Sequence, residues 1–275
     1  MAKFDWYQGT TFDFEPEEIM ATLTREITMS DVSPGRPKNG YTRGCSVTRG
    51  DHTFAEIWWG GNPGTHVKVT GDDAPALAPI LQRMAVLPSR VDVAEDIIEP
   101  GMADRLFQVA QAYAVEKSIR VNHQGDWTRG QARTLYLGAR SSTVQLVIYE
   151  KGHQLGEQWA DPNWVRLEVR LYPKPRHREP LLAMTPGQMM AGTRWVTGYL
   201  QAIGWEHIEP LRIGTIRSPS DTDRARAALL RQYGRIIKTW ADEVGPTNLG
   251  TVLVNEITEN KATHVVREAI SEDSD

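Results

Sequence analysis

The stretch from Thr134 to Leu171 reads TLYLGARSSTVQLVIYEKGHQ, a short connection, then NWVRLEVRL. Its apolar residues recur at every second position, the period of a half-buried strand. In STVQLVIYE, Leu146 and Ile148 share one face, and Val147 and Tyr149 share the other. In WVRLEVRL, Val165, Leu167, Val169 and Leu171 alternate with Arg166, Glu168 and Arg170, so one face is apolar and one is charged. ARTLYLGA, just upstream, is a third strand candidate.

Working outward, HTFAEIWW and THVKVTG alternate in the same way and are joined by GGNPG, a hairpin turn. DDAPALAPILQRMAVL predicts a helix with Asp72 or Asp73 at its N-cap and Pro75 in its first turn. SRVDVAEDI is another strand. PGMADRLFQVAQAYAVEKS is an amphipathic helix with Met102, Leu106, Val109 and Tyr113 at helical spacing. TPGQMMAGTRWVTGYLQAIG predicts one helix, and a long helix follows from about Asp221 to Val244. That last helix places Leu229, Leu230, Tyr233, Ile236, Ile237, Trp240 and Val244 on one stripe, opposite a basic face. The order of elements predicts an α+β fold, with a central, largely antiparallel sheet covered by helices. No internal repeat stands out at a fixed period. The chain divides into a polar, turn-rich N-terminal extension over 1–50, a main domain over 51–205, and a C-terminal helical segment over 206–275. That segment ends in the acidic ISEDSD, read as a disordered tail.

The 275 residues carry a net charge of −4, which argues against a protein that coats nucleic acid. The charge is uneven. Residues 117–178 hold eleven Lys/Arg against five Asp/Glu, a balance of +6, which leaves −10 elsewhere. A basic window on an acidic chain suits contact with phosphates at one place. Nine tryptophans suit packing, with one or two available to stack on bases. The single cysteine, Cys45, excludes an internal disulfide and fits a reducing cytoplasm. No run reaches the roughly 18 apolar residues of a membrane span. MAKFDWYQGTTFDFEPEE lacks the apolar core of a secretory signal.

The candidate chemistry lies on three strands. Asp92 and Asp96 are four residues apart, on one strand face with Ala94 between them. Two like charges so placed need a cation or an arginine: a hard divalent ion such as Mg²⁺ or Mn²⁺, or a salt bridge to Arg90 or Arg133. Glu168 would sit beside Asp92 as a further carboxylate, and Arg166 and Arg170 would neutralise phosphate oxygens. Alternatively these charges simply pair with one another. Tyr149 is either a core tyrosine or a nucleophile. A phenol with an ordinary pKa near 10 needs help to attack at neutral pH, from a metal or from Lys151 or Arg140. No HxH pair is present; His66, His123 and His153 are the histidines to consider, so a two-histidine metal site is not signalled.

At these residues the chain resembles a known family. SRVDVAED is similar to its R-x-D-x-A-x-D strand, and YLGARSS to its Y-x-G-x-R-x-S turn. LVIYEKGHQ is similar to its R-x-Y-x-K-x-x-E segment, and WVRLEVRL to its W-x-R-x-E-x-x-L strand. The family is the replication initiation factors (Rep-trans type) of rolling-circle plasmids and filamentous phages, related to conjugative-element relaxases. Val147 stands where the family often has arginine, and Gln154 where it usually has an acid. The resemblance implies an HUH-nuclease-like fold and makes 51–205 a nicking-closing catalytic domain. It implies a metal-dependent, site-specific single-strand DNA endonuclease and ligase acting through a covalent 5′-phosphotyrosyl bond. Tyr149 would be the nucleophile, with Lys151 and Arg140 at the cleaved phosphate. Asp92, Asp96 and Glu168 would hold the divalent metal, and Arg166, Arg170 and Arg133 would contact DNA. Its partners would be origin DNA, single-stranded at the nick, a host helicase and a second copy of the chain, in the cytoplasm of a bacterial host. Tyr233 is the rival nucleophile, although its helical stripe favours core packing. A relaxase of the same chemistry, or a DNA-binding protein on this fold that does not cut, are the other readings.

Overall fold

The structure, a computed structural model, describes residues 1–155, 160–205, 221–256 and 258. The chain forms two units, Met1–Gly214 and Thr215–Asp275. In the first, β1 (Lys3–Thr11), α1 (Pro16–Glu26), β2 (Asp31–Pro34), β3 (Arg43–Arg49), β4 (His52–Trp59), β5 (Thr65–Thr70) and α2 (Ala74–Arg83) come first. They are followed by β6 (Leu87–Ile98), α3 (Met102–Glu116), β7 (Val121–Asp126), β8 (Gln131–Leu137), β9 (Val144–Glu150), α4 (Lys151–Leu155), β10 (Trp164–Leu171), α5 (Pro186–Met190) and α6 (Arg194–Ala202). All ten strands join one antiparallel sheet in the order β2-β3-β4-β5-β1-β6-β10-β9-β8-β7. The α+β expectation is met.

One face of this sheet is apolar, and the helices cover it. Val67, Val69, Val91, Val93, Leu146, Ile148, Leu167 and Val169 pack in one core with Ile19 and Leu23 of α1, Leu77 and Leu81 of α2, Leu106 and Phe107 of α3, and Val196 and Leu200 of α6. Buried tyrosine hydroxyls tie β1 to the α2–β6 connection and α6 to α3. Tyr7 donates to the Val86 carbonyl at 2.8 Å, and Tyr199 to that of Leu106 at 3.2 Å. Each gives a buried phenol hydroxyl its hydrogen-bond partner. Strand alternation then turns every intervening residue to the opposite, polar face.

Several expectations need correction. Residues 1–50 are not an extension: β1 lies in the middle of the sheet, between β5 and β6. KFDWYQGTT is rich in the aromatic and β-branched residues that suit a pleated surface. The helix expected from TPGQMMAGTRWVTGYLQAIG is two helices. Thr185 caps α5 and Thr193 caps α6, each accepting a backbone N–H three residues on, so the chain restarts at Thr193.

The second unit contains α7 (Asp221–Val244). Leu229, Tyr233 and Ile236, expected to pack as a stripe, are exposed. The acidic tail lies outside the described residues. Among the described residues, no helix is long and apolar enough to cross a membrane.

The sheet also shows a repeat that the residues hide. β1 leads through α1 to β2, β3, β4 and β5, which return strand by strand until β5 pairs with β1. β6 leads through α3 to β7, β8, β9 and β10, which return in the same way until β10 pairs with β6.

Candidate active site

The polar face of β6, β10 and β9 carries the chemistry, and register dictates its layout. β10 sets Arg170 against Asp92, Glu168 against Ala94 and Arg166 against Asp96. On its other side it sets Glu168 against Val147 and Arg166 against Tyr149. Tyr149, Glu168, Asp92 and Arg166 are all buried.

The Tyr149 hydroxyl donates to Glu168 Oε2 at 3.0 Å. Glu168 Oε1 accepts from Arg170 Nε at 2.6 Å. Burial raises the Tyr149 phenol above its ordinary range; Glu168 adds to this and Arg166 opposes it. The phenol is therefore neutral at pH 7, with a proton acceptor already in contact. Lys151, at the start of α4, sets its ammonium 5.7 Å from the centre of the Tyr149 ring. The segment before β10 can pass this close to α4 because residue 152 is glycine. A Cβ there would fall 2.0 Å from the Asp161 carbonyl oxygen.

Two further carboxylates are closed by arginines. Asp96 accepts from Arg166 at 2.6 and 2.8 Å and from Trp164 Nε1 at 2.8 Å, and it pairs with Lys3 at 2.9 Å. Burial works against the Asp96 carboxylate, but these donors hold it well below the usual range. Asp92 accepts from both nitrogens of the Arg90 fork, at 3.0 and 2.5 Å. Its carboxyl is nevertheless pushed up to about 6, chiefly by burial, with Arg90 opposing and Glu168 reinforcing. Arg166 also donates to Asp5 of β1 at 2.6 Å. The first strand thus reaches the site, and burial raises Asp5 too. Reading 1–50 as an extension hid Asp5; the aromatic and threonine content of KFDWYQGTT was the available signal.

The other expected residues stand as follows. Asp92, Asp96 and Glu168 share a face, as expected, and each meets an arginine. Asp92 and Asp96 flank Ala94 from either side, and guanidinium groups already engage all three carboxylates. Among the described residues, no three His, Cys, Asp or Glu side chains are grouped to hold an ion. As arranged, this donor set does not fit the divalent metal that the family resemblance implies. Arg140 is exposed in the β8–β9 connection, at the far end of β9 from Tyr149. Five residues of strand at roughly 3.3 Å each separate them, so it is not at the Tyr149 hydroxyl. Arg133 lies on the helix side of β8. It pairs with Glu150 and Asp104 at 2.7 Å each, and its guanidinium lies 5.0 Å from the Phe107 ring centre. It is a structural ion pair away from the polar face.

His153 is exposed on α4. His66 belongs to β5, away from the Tyr149–Glu168 pair. Its Nε2 meets Gln8 at 2.9 Å and its Nδ1 meets Thr10 at 2.8 Å. Burial, then Arg178, lowers its pKa to about 4, so it is neutral. An unfolded histidine titrates near 6.5. His66 therefore contributes stability that is complete above pH 6.5 and lost as pH falls toward 4. Denaturant midpoints at pH 7 and pH 5 should show a larger acid loss for the wild type than for His66→Gln; equal losses would contradict this assignment.

Residues 89–191 match the family of replication initiation factors. The matched segment contains Tyr149, Glu168, Arg166, Arg170, Asp92 and Asp96, but not Asp5. The fold is similar to that of a rolling circle replication initiator protein from Geobacillus stearothermophilus. The TM-score is 0.51 at 19% identity, over 76% of this chain and 99% of that one. The shared architecture is a mixed fold of helices and strands built on a large antiparallel sheet, as expected. Among curated proteins none matches.

Proposed function

We propose that the protein initiates rolling-circle replication by cutting one strand of an origin through Tyr149. The Tyr149 oxygen attacks the scissile phosphorus while its proton passes to Glu168 Oε2. The bond from phosphorus to the 3′ oxygen breaks, and that oxygen takes a proton from solvent. The products are a 5′-phosphotyrosyl bond and a free 3′-OH that primes synthesis. Reversal of the step by another 3′-OH reseals the strand. Lys151, Arg166 and Arg170 supply positive charge for the phosphate oxygens. An Mg²⁺ or Mn²⁺ ion bound here would have to displace a guanidinium from Glu168 or Asp92. Origin DNA, single-stranded at the cut, is the substrate in a bacterial cytoplasm, with a host helicase and a second copy of the chain as candidate partners.

The observation that carries this reading is the 3.0 Å hydrogen bond from Tyr149 to Glu168, inside the segment that matches replication initiation factors. A relaxase would use the same step. One observation favours a different reading, a DNA-binding protein that does not cut: Tyr149 is only 6% exposed, in a network whose charges are paired. Nicking of origin DNA by the wild type separates the two, and Glu168→Gln tests the proton acceptor. It keeps an acceptor for the phenol but cannot take its proton at neutral pH. On supercoiled DNA carrying the cognate origin, nicking should fall by roughly 10²–10⁴-fold while binding is kept. An unchanged rate would remove Glu168 from the chemistry.

A further inference from the structure

The two halves of the sheet can be equated residue by residue through their registers. β5 pairs Thr70, Lys68 and His66 with Trp6, Gln8 and Thr10 of β1. β10 pairs Arg170, Glu168 and Arg166 with Asp92, Ala94 and Asp96 of β6. β4 sets Glu56 and Trp58 against Lys68 and His66, as β9 sets Val147 and Tyr149 against Glu168 and Arg166. Trp6 pairs with Asp92 where β1 meets β6, so the two halves pivot about that pair. Trp58 thus occupies the place of Tyr149, Lys68 that of Glu168, His66 that of Arg166, Trp6 that of Asp92 and Thr10 that of Asp96.

The exchange has a chemical direction. The nucleophile position becomes an indole, and the three carboxylates become a lysine, an indole and a hydroxyl. Cations lie against both indoles. Arg90 sits 4.0 Å from the Trp6 ring centre and Lys68 5.2 Å; Lys38 sits 5.3 Å from that of Trp58 and Lys68 5.9 Å. Glu56 pairs with both Lys38 and Lys68, which leaves a positive balance in this group. Trp58 is buried, whereas Trp6 is partly exposed. The cationic row continues into the candidate active site, because Arg90 forks Asp92, and Arg170 reaches both Asp92 and Glu168. Partly exposed indole among lysine and arginine is the chemistry of surfaces that take single-stranded nucleic acid, with stacking for bases and cations for the backbone.

We propose that this N-terminal half of the polar face is a non-catalytic counterpart of the cutting half, and that it grips the single-stranded DNA flanking the cut. From Tyr149 on β9 to Lys68 on β5 there are four strand spacings, about 19 Å at roughly 4.8 Å each. That is a reach of several nucleotides. Trp6 stacks a base, and Lys68 and Arg90 hold the adjoining phosphates. The inference rests on the proposed action on DNA but not on Tyr149 being the nucleophile.

The test is fluorescence anisotropy of the full chain with labelled oligothymidine, titrated with salt. Trp6→Ala should weaken binding by roughly 10-fold, and Trp6→Phe should restore most of it. Lys68→Gln should flatten the dependence of log K on log salt by about 0.7, the loss of one single-strand phosphate contact. Nicking and binding are measured on the same samples, so failure of the cutting step and failure of the grip are read separately. Three results would overturn the proposal: no binding by the wild type, equal affinity and salt slope in Trp6→Ala and Lys68→Gln, or tighter binding of a duplex with no dependence on Trp6. Thermal melting of each variant reports whether it has folded.

Discussion

Tyr149→Phe is expected to reduce nicking of origin DNA to background and to leave no covalent protein–DNA product. The substitution removes the attacking oxygen and nothing else, because the ring keeps its place on β9 beside Val147 and opposite Arg166. No other hydroxyl is hydrogen-bonded to Glu168 among the described residues. The fold should survive. Glu168 loses one donor, a cost of about 1.5–3 kcal/mol for a bond to a charged group, but keeps Arg170. Gel assay of the nicked circle, with a melting curve on the same sample, gives both readouts. Nicking at the wild-type rate would transfer the role to another tyrosine, and exposed Tyr233 on α7 would be the first to examine.

Arg166→Leu is expected to be the most destabilising single change on the polar face, by roughly 3–5 kcal/mol. Its side chain, on β10, is 4% exposed and reaches across the neighbouring β6, donating to Asp96 of that strand and to Asp5 of β1 beyond it. Leucine of similar bulk fills the space but leaves the half-buried Asp5 without its guanidinium. Asp96 retains Lys3 and Trp164, so Asp5 bears most of the loss. Arg166→Lys should recover only part of it, since one ammonium cannot reproduce a planar fork aimed at two carboxylates. Denaturant midpoints measure this directly, and a loss under about 1 kcal/mol for Arg166→Leu would show that the bridge is not structural.

Much of this was legible in the sequence because a strand has a period of two. The alternation in SRVDVAEDI was enough to place Asp92, Ala94 and Asp96 together on one face of their strand, and that in WVRLEVRL to place Arg166, Glu168 and Arg170 together on one face of theirs. The same rule, applied to ARTLYL, sets Arg133 in phase with Leu135 and Leu137 and hence on the helix side, where it lies. That signal was present and pointed away from DNA. What could not be read was pairing between distant strands. Nothing in the local pattern of KFDWYQGTT says that it inserts between β5 and β6 and brings Asp5 to Arg166. Nor does spacing along one strand say whether a metal ion or an arginine neutralises Asp92. The duplicated topology escaped notice for a related reason: the halves keep the alternation of faces but exchange tyrosine for tryptophan and glutamate for lysine.

One experiment bears most directly on whether Tyr149 cuts DNA. The protein is incubated with single-stranded origin DNA, the covalent product is digested with trypsin and nuclease, and the nucleotide-bearing peptide is sequenced by mass spectrometry. The modified residue should be Tyr149, carrying a 5′-phosphate linkage. A nucleotide on Tyr233 or any other residue, or no adduct from protein that nicks, would contradict the mechanism.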